Sequence, residues 1–293
     1  MSGTEMIIYC DGRYVGKEDA TTSIFDHGFL YGDGVFEGIR AYSRCVFRLK
    51  EHIDRVFESA NTIMLDIGIT REEMTEIVLE TSRRNNLDDA YIRLVVSRGV
   101  GDLGLDPLKC PKPSIFCIVG SIVLYPEETY TQGLKVQTAS TRRNIPAALN
   151  PRVKSLNYLN NIMAKIEATR AGVMEAIMLT QEGYVCECTG DNIFLIKNGR
   201  LLTPPAYIGI LQGVTRDAVI ELAQKDGIAV QETLFTLHDV YTADECFLTG
   251  TAAELIPVIE ADGRRISEGA PGPVFKRLLQ KFRDLAKTDG ETY

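Results

Sequence analysis

No run in the 293-residue chain approaches the ~20 consecutive apolar residues of a membrane span, which excludes helical insertion into a bilayer. No basic block offsets a net charge of −8 and a pI near 5.1, so nucleic acid and anionic membranes are poor partners. The opening Met1-Ser2-Gly3-Thr4-Glu5 has no charged stretch leading into an apolar one. No export signal is therefore expected, and the cytoplasm is the expected location. Cysteine numbers seven, an odd count, and the one close pair, Cys186 and Cys188, has no second pair to complete a zinc site. No metal is expected, and the thiols should be reduced and mostly buried. Internal repeats and low-complexity segments are also missing.

A hydrophobic content of 45% and a charged content of 25% are those of a soluble globular protein, and the length suits two domains. The polar, proline-containing segment 125–133 reads as a linker between a small domain, 1–124, and a larger one, 134–293. In the first, Asp11-Gly12 marks a hairpin between strands at 7–10 and 13–16. A glycine-broken approach loop from Phe25 leads into a strand at 35–42, which turns back through 46–49; its glycines do not fit a P-loop. His27 in that loop reads as a satisfied turn histidine. Ile53, Val56, Phe57, Ala60 and Met64 form the buried stripe of one helix, with Arg55 beside it as a solvated charge. Thr70-Arg71-Glu72-Glu73 has capping-box spacing and opens a second helix burying Met74, Ile77 and Val78. Strands at 90–97 and 114–124 flank a long Gly/Pro-rich loop, 98–113, of a kind that is often functional.

The larger domain holds strands at 134–139, 176–180, 184–188, 192–197, 200–203 and 246–249. A helix follows Gly213-Val214-Thr215-Arg216 with Val219, Leu222 and Ala223 inward, and another spans 273–286. Between the first two strands lies Val153-Lys154-Ser155-Leu156-Asn157-Tyr158, just ahead of an amphipathic pattern of Leu159, Ile162, Met163 and Ile166. Lys154 is surrounded by small polar residues instead of carboxylates, a setting of amines that form Schiff bases, although on composition alone a surface lysine at a helix start is the better reading. A carboxylate on a later strand (Glu187), a helix start at Thr215 and a small-residue turn at Thr251 make up, with Lys154, the set that pyridoxal phosphate requires, although taken singly Glu187 reads as an ordinary strand carboxylate and Thr215 as a common N-cap. Such a cofactor needs an imine-forming lysine, an acid for the pyridine nitrogen and donors for the phosphate.

The motifs Tyr31-Gly32-Asp33-Gly34-Val35-Phe36-Glu37-Gly38-Ile39-Arg40, Glu51-His52-Ile53-Asp54-Arg55, Ala90-Tyr91-Ile92-Arg93, Val153-Lys154-Ser155-Leu156-Asn157-Tyr158-Leu159, Glu187-Cys188-Thr189-Gly190-Asp191-Asn192-Ile193-Phe194, Gly213-Val214-Thr215-Arg216-Asp217 and Thr249-Gly250-Thr251-Ala252-Ala253-Glu254 occur in this order. In them the chain resembles the branched-chain amino-acid aminotransferases of the fold-type IV pyridoxal-phosphate enzymes, from Ile7 to the last helix. The resemblance implies an α+β, D-amino-acid aminotransferase-like fold: a small α/β domain and a larger pseudo-barrel α/β domain. It implies transfer of the amino group of leucine, isoleucine or valine to 2-oxoglutarate, in branched-chain amino-acid biosynthesis, by a homodimer or higher oligomer. D-amino-acid transamination and aminodeoxychorismate lyase activity are the alternatives on the same fold.

By the same resemblance Lys154 would hold pyridoxal 5′-phosphate and move the proton, Glu187 would pair with the ring nitrogen, and Tyr158 would bond the ring's phenolic oxygen. Arg55, the amides of Val214 and Thr215, and Thr251 would take the phosphate, which revises the solvated reading of Arg55. Tyr91 with the Thr251 and Ala252 amides would grip the substrate carboxylate. Tyr31, Phe36 and Gly38 would line the side-chain pocket, with Tyr31 and the 99–107 loop reaching across a dimer interface in family members. Arg93, held by tyrosines and with Arg40 in its network, would pair with the second carboxylate of glutamate. The Lys154-to-Tyr158 spacing is one shared with the D-amino-acid branch, and the tryptophan some members place between the domains is absent, leaving Leu124 or Tyr125 on that side.

Overall fold

The structure is a computed structural model that describes residues 6–122 and 124–293. The chain divides into two compact units: Met1–Ile122 with Val153–Asn157 and Leu285–Tyr293, and Val123–Arg152 with Tyr158–Asp284. The short segment carrying Lys154 thus belongs to the first unit, although the residues on both sides of it belong to the second.

The first unit contains β1 (Ile7–Cys10), β2 (Arg13–Gly16), α1 (His27–Tyr31), β3 (Gly34–Tyr42), β4 (Cys45–Phe47), α2 (Leu49–Thr62), α3 (Arg71–Asn85), β5 (Ala90–Ser97), β6 (Ser114–Gly120) and, from the chain end, β16 (Gly290–Thr292). Its sheet runs β16-β4-β3-β5-β6-β1-β2, antiparallel throughout. β3 pairs with β5 from Gly34↔Ser97 to Ala41↔Ala90. Alternation gives the two faces different jobs. Val35, Ile39, Ala41, Ile92, Leu94 and Val96 are buried in one core with Ile53, Val56 and Ala60 of α2 and Met74, Ile77 and Val78 of α3. Phe36, Gly38 and Arg40, opposite Val95, Arg93 and Tyr91, share the other face.

Three expectations need correction here. The approach loop contains α1, which Asp26 caps by accepting the Gly28 N–H (2.7 Å) and which Gly32 ends at φ 69°. Met64 is not in the α2 stripe: the helix stops at Thr62, and Met64 is 86% exposed at φ 53°. The reason lies in Arg98, whose guanidinium takes the carbonyls of Ile63 and Met64 (both 2.7 Å) while forking onto Asp33 (both 2.9 Å). The strand expected over 114–124 ends at Gly120, and Val123 and Met1–Glu5 lie outside the described residues.

The second unit contains α4 (Glu127–Gln132), within the stretch read as a linker, then β7 (Leu134–Thr138), α5 (Leu159–Arg170), β8 (Glu175–Leu179), β9 (Val185–Cys188), β10 (Asn192–Lys197), β11 (Arg200–Thr203), α6 (Val214–Lys225), β12 (Ala229–Glu232), α7 (Leu237–Tyr241), β13 (Glu245–Gly250), β14 (Glu254–Ala261), β15 (Arg264–Arg265) and α8 (Pro273–Leu285). Its mixed sheet runs β12-β11-β10-β13-β14-β7-β8-β9, with β15 beside β14.

α5 forms where expected but faces the other way. Asn161, Ala164 and Ala168 are its buried residues, the alanines packing on Ala139, Ala176 and Met178. Leu159, Ile162, Met163 and Ile166 are exposed, Leu159 at 68%. Small side chains let the helix lie close to the sheet, so the larger apolar row points outward. All seven cysteines are free, and six are buried. No helix among the described residues is long and apolar enough to cross a membrane.

The capping box is present: Thr70 Oγ1 accepts the Glu73 N–H (3.2 Å) and Glu73 Oε2 accepts the Thr70 N–H (2.7 Å). Thr70→Ala should lower unfolding free energy by about 1 kcal/mol in urea titration, and an unchanged midpoint would show that the cap contributes nothing.

Candidate active site

In the first unit, Lys154 is held by its backbone. Phe36 N–H donates to the Lys154 carbonyl (2.9 Å), Leu156 N–H donates to the Gly34 carbonyl (2.9 Å), and Val35 bridges Ser155. The Lys154 N–H donates to Ser59 Oγ on α2 (3.2 Å). Gly34 must be glycine: a Cβ would lie 2.6 Å from the Val96 carbonyl oxygen and 2.7 Å from a Leu156 methyl. The segment is therefore a short extra strand beside the start of β3. The half-buried Lys154 has its Nζ 4.7 Å from the centre of the Phe36 ring.

His52, Arg55 and Ser59 recur at helical spacing on one face of α2. Arg55 grips the fully buried Glu37 with Nε on Oε1 (2.6 Å) and Nη2 on Oε2 (2.8 Å), and His52 Nδ1 stands 2.7 Å from Oε2. Burial alone would raise the Glu37 carboxyl, but the charges and hydrogen bonds of Arg55 and His52 outweigh it and hold it well below the usual carboxylate range. Burial pushes His52 down, against the opposing pull of the Glu37 carboxylate.

On the opposite face of β3 and β5, Arg93 Nη2 donates to the Tyr91 hydroxyl (2.8 Å), and the guanidinium lies 4.6 Å over the Phe36 ring. Gly38 makes room for this pair, since a Cβ there would lie 2.4 Å from the Tyr91 hydroxyl oxygen. Arg40, on the same face, stacks 4.8 Å over Tyr42. Tyr31 donates its hydroxyl to the Leu103 carbonyl (2.5 Å), and His27 Nε2 lies 2.8 Å from the Asp102 carbonyl. The histidine is thus a structural pin for the 98–113 loop.

In the second unit, Glu187 on β9 is buried, with Oε1 on Arg143 Nε (2.7 Å) and Oε2 accepting the Leu211 N–H (3.0 Å) and Asn192 Nδ2 (3.3 Å). Arg143 is itself braced by Asn160 Oδ1 (3.1 Å). A second buried acid behaves differently: burial and the nearby Glu175 push Asp191 up to about 7, against the opposing hydrogen bond from the Tyr125 hydroxyl (3.1 Å). Glu187, unlike Asp191, has a guanidinium partner in Arg143 (2.7 Å). Tyr158 directly precedes α5. The N-cap residue of α6 is Gly213, which has no side chain to cap it, and the helix begins with Val214 and Thr215; a Cβ on Gly213 would lie 2.2 Å from Asn192 Oδ1. Arg216, fully buried, anchors that helix end to the Pro204 carbonyl (2.9 Å) and Glu232 (2.6 Å). Thr251 and Ala252 sit in the turn between β13 and β14, fixed by Tyr130 donating to the Ala253 carbonyl (3.0 Å) and Arg283 on Glu254 (2.8 Å).

Each unit, taken by itself, carries donors that suit one part of pyridoxal phosphate. The first unit offers an amine pinned by its backbone and a pre-oriented guanidinium. The second offers a buried carboxylate that can accept from a ring N–H, and a helix N-terminus entered through a glycine, suited to a phosphate. Sequence reasoning missed Ser59, His52 and Glu37 as partners, and Arg143 and Asn192 around Glu187. Glu37 carried a readable signal, because it shares the parity of the apolar Val35 and Ile39.

The chain is similar to known proteins over most of its length. The amino-transferase class IV family matches residues 34–261. The chain is 58% identical over 280 residues, 96% of both chains, to a Methanocaldococcus jannaschii protein provisionally named a branched-chain-amino-acid aminotransferase. It is 39% identical over its whole length, and 97% of the relative's, to a branched-chain-amino-acid aminotransferase of Pseudomonas aeruginosa. A branched-chain amino acid aminotransferase of Thermobaculum terrenum, solved in its PLP form, superposes with a TM-score of 0.89 at 30% identity, covering 98% of this chain and 96% of that one.

Gly38→Ala should displace Tyr91, break its bond to Arg93 and cost about 1–3 kcal/mol of stability as an overpacked site. Adding Tyr91→Phe, which removes the clashing oxygen, should recover most of the loss. A stable single variant, or no recovery in the double, would contradict this packing.

Proposed function

We propose that this chain, which belongs to the class IV aminotransferases, transfers the amino group of branched-chain L-amino acids to 2-oxoglutarate, giving branched-chain 2-oxo acids and L-glutamate. The observation that carries this reading is the Phe36–Gly38–Tyr91–Arg93 face. Glutamate and leucine must use one side-chain pocket, although one ends in a charge and the other does not. A guanidinium lying flat on an aromatic ring and tied to a tyrosine can meet a carboxylate without disrupting the apolar wall.

When bound, pyridoxal 5′-phosphate supplies the electron sink that makes loss of the substrate Cα proton feasible. The chain's own groups do the rest in this reading. Lys154 would supply the amine that holds the cofactor, take the proton from Cα of the amino donor and, in the return half of the reaction, deliver one to Cα of the newly formed glutamate. Its pinned backbone leaves only the side chain to move, which keeps Nζ within a small arc. Glu187, held by Arg143, would accept from the pyridine nitrogen, and Tyr158 would donate to the phenolic oxygen. Arg55, the Val214 and Thr215 amides and Thr251 bind the phosphate. Tyr91 and the Thr251 and Ala252 amides orient the substrate carboxylate. Phe36, Gly38 and Tyr31 exclude water from the side-chain pocket, and Arg93, with Arg40 nearby, receives the second carboxylate of glutamate.

The finer assignments are proposals of the same standing. A cytoplasmic enzyme of branched-chain amino-acid biosynthesis is supported by seven unpaired cysteines. A homodimer or larger assembly is supported by the exposed apolar residues Phe29, Leu103, Leu105 and Leu108 in the first unit and the outer row of α5 in the second. Small-domain, linker and large-domain divisions at 1–124, 125–133 and 134–293 are proposed as the folding domains.

A panel with L-leucine, L-isoleucine, L-valine, D-alanine and 4-amino-4-deoxychorismate decides the activity, using 2-oxoglutarate as amino acceptor and scoring pyruvate release for the last. The three branched-chain L-amino acids should be turned over. Turnover of D-alanine or aminodeoxychorismate alone would overturn the reading. Lys154→Ala should fold and lose transamination by at least about 10³-fold, because amine and proton carrier are lost together; a variant with normal turnover would refute the role of Lys154.

A further inference from the structure

Glu37 is the one charged side chain on the apolar side of β3, between Val35 and Ile39, and it is fully buried. Burying a carboxylate costs several kcal/mol that an ion pair does not reliably return, and a leucine at this position would pack the same core without that penalty. Its presence therefore calls for a use. Both its oxygens are engaged: Oε1 by Arg55 Nε, and Oε2 by Arg55 Nη2 and His52 Nδ1. So saturated, it is poorly placed to exchange protons in a reaction. What it does fix is the plane and position of a guanidinium on a side chain that would otherwise sample many rotamers.

The same face of α2 supplies the second coordinate. Ser59, one turn beyond Arg55, accepts the backbone N–H of Lys154 (3.2 Å). His52, Arg55 and Ser59 thus tie β3, the guanidinium and the lysine segment to one helix face within the first unit. A rigid helix between two anchored groups sets their separation, as two groups that must hold opposite ends of one small molecule require.

We propose that Glu37, braced by His52, is a positioning residue that presets the Arg55 guanidinium for the cofactor's phosphate at a fixed distance from Lys154. The inference rests on the proposed pyridoxal-phosphate function and adds how the phosphate end is registered against the amine end. It makes a selective prediction. Disturbing Glu37 should weaken ligands that carry the phosphate and spare those that lack it, whereas a residue that merely staples α2 to β3 would affect both alike.

The test is equilibrium binding of pyridoxal 5′-phosphate and of pyridoxal to the full chain, read by the visible absorbance of the bound ligand, alongside melting temperature. Glu37→Gln keeps the shape and removes the charge; Glu37→Asp keeps the charge and withdraws it by one methylene, and serves if the first variant does not fold. In either, the dissociation constant for pyridoxal 5′-phosphate should rise at least about tenfold while that for pyridoxal stays within about twofold of the parent. In an Arg55→Gln background, Glu37→Gln should add no further phosphate-specific loss. Equal weakening of both ligands, or no weakening of either, would overturn the positioning role while leaving the functional reading intact. A parent chain that binds neither ligand would overturn the functional reading and this inference with it.

Discussion

The pairing of the Lys154 segment with the first residues of β3 is the constraint on which the first unit's chemistry depends. Two backbone hydrogen bonds, a bridge from Val35 to Ser155 and the Ser59 hydroxyl convert what would be a loop into an edge of the sheet. A lysine on a free loop would spread its amine over many positions. Here only the side-chain torsions remain, and the Phe36 ring lies against Nζ. The pairing also explains the glycine at 34, where any side chain would collide with both β5 and Leu156. Phe36 follows two residues later on the same face, then Gly38, so the lysine register also sets the register of the pocket wall.

Charge is buried in this protein where a group must be held still. Glu37 with Arg55, Glu187 with Arg143, and Asp33 with Arg98 are all forks or single bonds of 2.6–2.9 Å with the arginine mostly out of water. Pairs of this kind are weak contributors to net stability, because desolvation offsets much of their attraction. Their common effect is orientation. Arg98 stops α2 and shapes the start of the 98–113 loop, Arg143 fixes the Glu187 carboxylate in place, and Arg55 is gripped by Glu37. Asp191 shows the contrast: an acid buried beside a second carboxylate, Glu175, keeps its proton to about pH 7.

Local patterns in the sequence translated well. Strands at 7–10, 13–16, 90–97, 192–197 and 200–203 stand where alternation and turn residues place them, and Thr70 caps α3 as its spacing indicates. The orientation of α5 did not translate, because periodicity reports that a helix has an apolar row but not whether alanines or larger residues face the sheet. Non-local partners were also hidden. Arg143 lies 44 residues before Glu187 and Ser59 lies 95 before Lys154, and no local rule joins them. Glu37 was legible in principle, since a carboxylate at buried parity in a strand demands a partner. The family resemblance assigned Arg55 a ligand, while the geometry around Glu37 supplies the reason it can be held ready for one.

Everything proposed for the chemistry presumes that Lys154, among all the amines of the chain, carries the cofactor. Borohydride reduction of the protein after loading with pyridoxal 5′-phosphate, followed by proteolysis and peptide mass mapping, locates the attached group directly. The phosphopyridoxyl mark should fall on Lys154 in stoichiometric amount. A mark on another lysine, or no stable mark at all, would contradict the site.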